Sequence, residues 1–315
     1  MTDKPYKDLQ NGYNQTHPAL QFLIFAGVFA GFFFVANLLG IAAIFALYGA
    51  KTLMSIGSLD TTAPHFVTAL WILQTVGTTF PIFAAPVFFA YVIARDPQDY
   101  IKPSFRFDWK LIVVIFVIMF ASMPLIEYLS NINQKLMLPK SLSGLQKWIV
   151  DSEASAQKLM VVMLKMNGIA DMIFDVLFIG LLTAIVEEFM FRGVLQTIFV
   201  RWTKNTHAAV WITAILFSAF HMEFLGFLPR LLLGAFFGYF VAWSGSIWTG
   251  VLAHFINNAT DVIATYLIQH KVINIDPNNQ HVFNYAGYLL SLLIVILLLF
   301  IYKKITARKE QSLQY

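Results

Sequence analysis

Cysteine is absent from this chain, and charged residues are scarce. Without cysteine, disulfides, thiolate metal ligands and a cysteine nucleophile are all excluded. Charged residues make up 12% of the 315 residues and hydrophobic residues 58%, whereas an ordinary globular domain carries about 25% charged residues. The composition therefore excludes a soluble globular domain and predicts a protein that lies in a lipid bilayer. The small net charge of +4 gives no indication of nucleic-acid binding.

Apolar segments of transmembrane length recur along the chain. A run of about 18 or more apolar residues is typical of a membrane-spanning helix. The predicted fold class is all-α, a polytopic membrane helical bundle of about eight transmembrane helices. The predicted spans are 20–48, 65–94, 111–129, 169–203, 207–222, 229–243, 247–268 and 285–302.

Glycine and proline predict local features of three spans. Gly27 and Gly31, like Gly234 and Gly238, are four residues apart, a spacing that allows close helix contact. A kink or break is predicted near the middle of the second span. The residues that predict it are Gly77, Pro81 and Pro86.

Residues 130–168 are too polar to cross a membrane, yet their apolar positions recur at helical intervals. This pattern predicts an amphipathic helix or helix pair at the membrane interface. A lid over a cavity is an equally open interpretation of the same segment.

The distribution of lysine and arginine predicts the orientation. With eight spans the two termini lie on one side, and that side holds more basic residues in its tails and short loops. By the positive-inside rule both termini are expected to be cytoplasmic, in a multi-pass protein of the cell membrane. The first 17 residues are polar and lack an apolar signal core, so a cleaved signal peptide is not expected.

Two adjacent carboxylates and an arginine interrupt the fourth predicted span. A charge within a bilayer costs several kcal/mol, so these residues indicate function by default. Glu188 and Arg192 are four residues apart and can pair on one helical face. Glu187 points about 100° away and is free to face a cavity. A purely structural ion pair is the alternative interpretation.

Two histidines lie on other predicted spans, each with a partner at helical spacing. His221 follows Phe217 by four residues, and His254 precedes Asn258 by four. A single intramembrane histidine is more often structural, but together with the Glu pair these residues predict one shared site. The further polar candidates in the spans are Asp171, Asp175, Asn257 and Asp261.

The depths of the two histidines are an apparent difficulty for a shared site. His254 lies about seven residues, and His221 about fourteen, from the predicted cytoplasmic end of its span. A shared site therefore requires helix tilt, or an uneven helix start near Asn205.

These residue types permit hydrolysis of an amide by water. Two imidazoles and a carboxylate (His221, His254, Glu187) form a catalytic zinc ligand set, which makes hydroxide available near neutral pH. Alternatively, Glu187 acts as general base on a water held by a histidine. Asn258, together with the second histidine, would donate hydrogen bonds to the developing oxyanion. A Gly-x-Ser-x-Gly elbow is absent, so a covalent intermediate is disfavoured.

The three motifs Glu187-Glu188-x-x-x-Arg192, Phe217-x-x-x-His221 and His254-x-x-x-Asn258 occur in this order on successive apolar segments. In this arrangement the chain resembles the CPBP (CAAX protease and bacteriocin-processing, or Abi) family of intramembrane metalloproteases over roughly residues 170–265. The resemblance implies an eight-helix membrane endopeptidase whose site lies in a cavity open to the cytoplasm.

By position, the resemblance implies a role for each motif residue. Glu187 would activate water, supported by Glu188 and Arg192, and His221 would hold the water or metal. His254 and Asn258 would act as metal ligand or oxyanion stabiliser. The implied cofactor is a divalent metal, zinc in the first instance, on Glu187, His221 and His254, with a metal-free glutamate mechanism left open.

The sequence thus predicts an intramembrane endopeptidase that cleaves membrane-associated peptides or proteins. A proton-coupled transporter and a non-catalytic membrane scaffold are the alternatives. The expected partners are the substrate and the lipid bilayer, without nucleic acid. Four regions are predicted: a polar tail (1–18), N-terminal helices with the amphipathic segment (19–168), a protease-like catalytic core (169–268), and a last span with a basic tail (269–315).

Overall fold

A computed structural model describes residues 16–273 and 283–312, with the side chains of 308–312 left out. Within these ranges the regular structure is helical and contains no β-strand, so the prediction of an all-α membrane bundle is confirmed. Most of the predicted polar tail, positions 274–282 of the predicted loop 269–284, and the side chains of Arg308 and Lys309 lie outside the described residues.

Five helices among the described residues are long and apolar enough to cross a membrane. They are Pro18–Gly57, Phe66–Ile93, Ile169–Thr203, Phe224–Ser244 and Tyr285–Ala307. In a bilayer a helix satisfies its own backbone polar groups, which is why apolar runs of this length adopt it.

The predicted count of eight spans is not confirmed. Lys110–Ala121 and Met123–Gln134 form a sixth span if this pair, bent by 42°, is taken as one. Thr206–Phe220 has only 15 residues, and Ile247–Gln269 is long enough but carries several polar side chains. These two shorter or more polar helices carry His221 and His254.

The second span is continuous, so the predicted break is wrong, whereas the predicted kink stays a prediction. Phe66–Ile93 contains two wide turns with i→i+5 hydrogen bonding, at Leu73–Thr79 and Phe89–Ile93. The Asn37 side chain donates to the carbonyl of Gly77 at 2.9 Å. The irregularity near the middle is therefore a wide turn with a satisfied carbonyl rather than a break.

The two glycine pairs have different outcomes. A Cβ atom on Gly238 would lie 2.8 Å from Oε1 of Gln196, and one on Gly234 would lie 3.2 Å from the Cα of Ala214. The predicted close packing at this pair is confirmed. At Gly27 and Gly31 a Cβ would meet no atom within 4 Å, so the predicted contact is wrong there. Both residues lie on an exposed face, where small residues permit a neighbour but do not supply one.

The polar segment 130–168 contains a helix, Ser143–Met163, which we call the surface helix. Its Glu153 accepts a hydrogen bond from the backbone N–H of Leu225 at 2.6 Å. This contact places the surface helix on the turn that follows His221, at the end of the bundle opposite the termini. Its roles as interfacial helix or lid are both compatible with this position.

Candidate active site

The Glu pair lies on the helix Ile169–Thr203, here called the Glu helix. Wide turns occupy Val176–Leu182 and Phe189–Leu195, on either side of the regular turn Thr183–Glu188. Wide turns of this kind are rare and often occur at functional sites.

Glu188 and Arg192 form the predicted pair. Nη1 of Arg192 donates to Oε1 of Glu188 at 2.7 Å, and neither side chain is exposed. Nη2 of Arg192 donates to the carbonyl of Gly234 at 3.0 Å. Its guanidinium also lies 4.4 Å from the ring centroid of Phe217. Since buried charges are costly unless paired and hydrogen-bonded, these contacts explain how the pair is tolerated.

His254 belongs to the helix Ile247–Gln269, here called the His254 helix. Its Nδ1 lies 3.0 Å from Oε1 of Glu188, which already accepts from Arg192. A carboxylate oxygen only accepts, so Nδ1 carries the hydrogen, and in the neutral imidazole Nε2 then keeps a free lone pair. The imidazole also stacks on Phe237 with centroids 4.9 Å apart.

His221 is the residue that ends the helix Thr206–Phe220. Its Nδ1 lies 2.8 Å from the carbonyl of Phe217, one of the orphan acceptors at a helix C-terminus. Nδ1 is therefore the donor, and Nε2 again has a free lone pair in the neutral imidazole. The Phe217 ring lies against this imidazole, as the spacing predicts, with centroids 4.9 Å apart.

The three side chains converge on Oε2 of Glu187. This atom lies 3.9 Å from Nε2 of His221 and 3.9 Å from Nε2 of His254. It is buried and has no hydrogen-bond partner. The structure thus brings Glu187, His221 and His254 together, with the Nε2 atoms of both imidazoles near one unpartnered carboxylate oxygen.

The apparent depth difference between the histidines has a structural explanation. The backbone N–H of Ile247 donates to the carbonyl of Lys102 at 3.0 Å, and the Lys102 ammonium donates to Thr197. The His254 helix therefore begins near the level of Thr197, below the end of the Glu helix at Thr203. The uneven start occurs at Ile247, whereas the sequence suggested Asn205.

The types of donor atom in this group suit a divalent metal, but the donor atoms lie too far apart to form a preassembled metal site. Each imidazole donates its Nδ1–H to an oxygen and leaves Nε2 free, the usual arrangement of metal-ligating histidines. Two ligand atoms on one tetrahedral zinc lie about 3.4 Å apart, less than the 3.9 Å observed here. Across the described ranges no three His, Asp or Glu side chains form a preassembled metal site.

Asn258 is engaged outside this group. Its Nδ2 donates to the carbonyl of Ile179 at 3.3 Å, and its Oδ1 accepts from Asn257 at 3.3 Å. An oxyanion role for Asn258 stays a prediction and would require its amide to turn. None of the other polar candidates, within the described part of the chain, hydrogen-bonds to Glu187 or to either histidine. These are Asp171, Asp175, Asn257 and Asp261.

Two residues that the sequence reasoning missed support the site. Gln196 is fully buried and donates to the carbonyl of Gly238 at 3.1 Å. A Cβ atom on Gly250 would lie 2.7 Å from Oε2 of Glu188. Both had a signal in the sequence: Gln196 lies four residues after Arg192, and Gly250 lies four residues before His254.

The exposed edge of the site faces away from the termini. His221 has 26% of its side chain exposed, Glu187 11% and His254 5%. Residues 190–200, between the Glu pair and the terminal side, are buried throughout. His221 ends its helix at the turn beneath the surface helix. An opening at His221 and cytoplasmic termini would therefore lie on opposite sides, whereas the sequence reasoning placed them together.

Comparison with known proteins gives two matches. Residues 169–260 match the family described as "Type II CAAX prenyl endopeptidase Rce1-like". The uncharacterized protein YpbD of Bacillus subtilis (strain 168) is 29% identical over 111 residues, which are 34% of this chain and 52% of that relative. The match thus spans about half the length of that relative. No solved structure matches this chain.

The matched segment contains all three motifs and every residue of the convergent group. At the level of the family, the match supports a CAAX-type protease in a membrane-embedded helical bundle. The resemblance predicted from the motifs is thereby confirmed: over residues 169–260 this chain is similar to the Rce1-like type II CAAX prenyl endopeptidase family.

Proposed function

We propose that this protein is an intramembrane endopeptidase that hydrolyses peptide bonds of membrane-associated substrates with a water activated by Glu187. One observation carries the proposal. Oε2 of Glu187 has no partner and lies at the same distance, 3.9 Å, from two imidazole Nε2 atoms that are free to accept when the rings are neutral. A water in this space would donate to the carboxylate and to a histidine at once.

The proton transfers balance within this group. Glu187 takes one proton from the water while the water oxygen attacks the scissile carbonyl carbon. An Nε2 atom accepts a hydrogen bond from the other hydrogen of the water. The protonated Glu187 then returns its proton to the departing amine as the carbon–nitrogen bond breaks. Glu188 and Arg192 touch no reacting atom in this scheme; they hold His254 in the required tautomer.

A divalent metal, zinc in the first instance, would be held by Glu187, His221 and His254. Bound there, it would lower the pKa of a water ligand towards neutrality. The histidine tautomers suit this metal-assisted route and the metal-free route equally. Metal analysis of purified wild-type protein beside Glu187→Gln and His254→Ala distinguishes the two.

The test is cleavage of C-terminal peptides, prenylated and unprenylated, by purified protein in lipid vesicles. We expect Glu187→Gln and His221→Ala to abolish cleavage. His207→Ala is the matched control, because His207 lies on the same helix as His221 and bonds to Tyr239 away from the site. Wild-type rates in Glu187→Gln would overturn the proposal, as would proton-coupled solute flux without cleavage.

A further inference from the structure

A short segment before the third span joins the two helices that carry the site. We call residues 99–104 the clamp segment. On the side of the Glu helix, the Lys102 ammonium donates to the hydroxyl of Thr197. Nη2 of Arg201 donates to the carboxylate of Asp99 at 2.7 Å. The clamp segment is thus bound to the Glu helix through side chains two to four turns beyond Glu187.

The approach of the clamp segment to the Glu helix is close at one glycine. A Cβ atom on Gly193 would lie 2.7 Å from the carbonyl oxygen of Tyr100. The hydroxyl of Tyr100 also accepts from Nη1 of Arg201 at 2.8 Å. Backbone therefore packs directly on backbone here, which glycine allows because it has no Cβ atom.

On its other side the clamp segment holds the first turn of the His254 helix. The N–H of Ile247 donates to the carbonyl of Lys102 at 3.0 Å. The indole N–H of Trp248 donates to the carbonyl of Pro103 at 2.9 Å. The hydroxyl of Ser246 donates to the next carbonyl of the segment. Three consecutive carbonyls thus fix where this helix begins.

We propose that the clamp segment positions His254 against Glu187, with Lys102 as its positioning residue. Lys102 contacts both helices: its side chain binds Thr197 and its carbonyl binds Ile247. His254 lies seven residues after Ile247, about two turns along a rigid helix. A shift at the helix start is therefore passed on to the separation of Nε2 and Oε2. The catalytic part of this inference rests on the proposed function.

The buried ammonium of Lys102 orients the clamp segment on the Glu helix rather than stabilising the fold. It is buried, and burying an amine carries a desolvation cost that an apolar side chain of equal length would avoid. What the amine adds is a bond of fixed direction to Thr197. Removing that bond should loosen the helix pair without weakening the fold.

The first test uses Lys102→Met and Thr197→Val, singly and together, since both changes preserve side-chain size. We expect kcat to fall roughly 10- to 100-fold, because a misplacement of about 1 Å costs up to about 10²-fold. KM should stay within about twofold and the thermal midpoint should not fall. The matched control, Lys110→Met, alters an exposed lysine and should change none of these values.

The second test measures the helix pair without reference to catalysis. Because the chain has no cysteine, spin labels can be placed at Trp202→Cys and Ile263→Cys, two exposed positions on the two helices. We expect Lys102→Met and Thr197→Val to shift or broaden the distance distribution. An unchanged distribution overturns the inference, whatever happens to kcat. A wild-type protein without peptidase activity would contradict the proposed function. The distances between the labels would still test whether the clamp segment positions the two helices.

Discussion

Nδ1 of His254 donates a hydrogen bond to Oε1 of Glu188 across two helices, at 3.0 Å. This bond separates the roles of the adjacent carboxylates. Glu188 is fully buried and bonded to Arg192 and His254, whereas Oε2 of Glu187 has no partner. In the proposed mechanism Glu187 therefore faces the reacting groups, and Glu188 orients the imidazole of His254 beside them.

The different roles predict different losses of activity. Glu188→Gln keeps the size of the side chain and an acceptor for Nδ1 of His254, but it removes the charge opposite Arg192. We expect cleavage to fall roughly 10- to 100-fold, the usual range when an orienting partner is altered. Glu187→Gln should abolish cleavage. Steady-state rates of both variants decide this, and equal losses would contradict the division of roles.

Gly250 is predicted to be intolerant of even one methyl group. Gly250→Ala would place a carbon 2.7 Å from both Oε2 of Glu188 and Cγ2 of Val241. Overpacking of this kind costs about 1–3 kcal/mol, and thermal unfolding in detergent would show it as a lower midpoint. Gly27→Ala is the control, because its methyl meets no atom within 4 Å. A midpoint equal to that of the control would contradict the close approach.

Stability is predicted to rise with pH through Lys102. Burial lowers the pKa of Lys102 to about 8 despite the attraction of Asp99, whereas an unfolded lysine titrates near about 10.4. Between these two pKa values the unfolded chain binds more protons than the folded chain, so the free energy of unfolding increases as pH rises. Burial also raises the pKa of Tyr100 above its usual value of 10.0, so Tyr100 titrates above the window from pH 8 to 10.

The measurement compares wild type with Lys102→Met, which lacks the titrating amine. From pH 8 to 10 the thermal midpoint of the wild type should rise relative to that of the variant. Parallel pH profiles of the two proteins would show that Lys102 is not a low-pKa group in the folded state.

Opposite membrane sides are predicted for the surface helix and the C-terminal helix end. Ser143→Cys and Ala307→Cys place thiols at exposed positions on the two ends of the bundle. With cytoplasmic termini, a membrane-impermeant maleimide should label Ser143→Cys in intact cells and Ala307→Cys only after permeabilisation. Labelling of both from one side would contradict the fold, and the reversed pattern would contradict the orientation predicted from the basic residues.

More of the site than of the fold could be predicted from the sequence. Helical spacing placed Glu188 with Arg192 and Phe217 with His221, because such pairs depend on one helix alone. The convergence of His221 and His254 on Glu187 depends on three separate helices, and the order of the motifs predicted it through a family resemblance.

What depends on contact between distant segments was beyond sequence reasoning. Two glycines lie four residues apart both at Gly27 and at Gly234, yet a Cβ atom at Gly27 would meet no atom within 4 Å and one at Gly234 would meet a neighbouring helix. The start of the His254 helix is set by carbonyls of the clamp segment, about 145 positions earlier in the chain. Neither relationship has a local pattern.

The wide turns of the Glu helix bear on how such a chain can change in length over evolution. A turn with i→i+5 bonding accommodates one residue more than a regular turn. Losing one residue within Val176–Leu182 would leave a regular helix whose two ends keep their relative directions. The same loss within Thr183–Glu188 would rotate everything beyond it by about 100°. Single-residue deletions among descendants of this chain should therefore accumulate in the first stretch and be eliminated from the second.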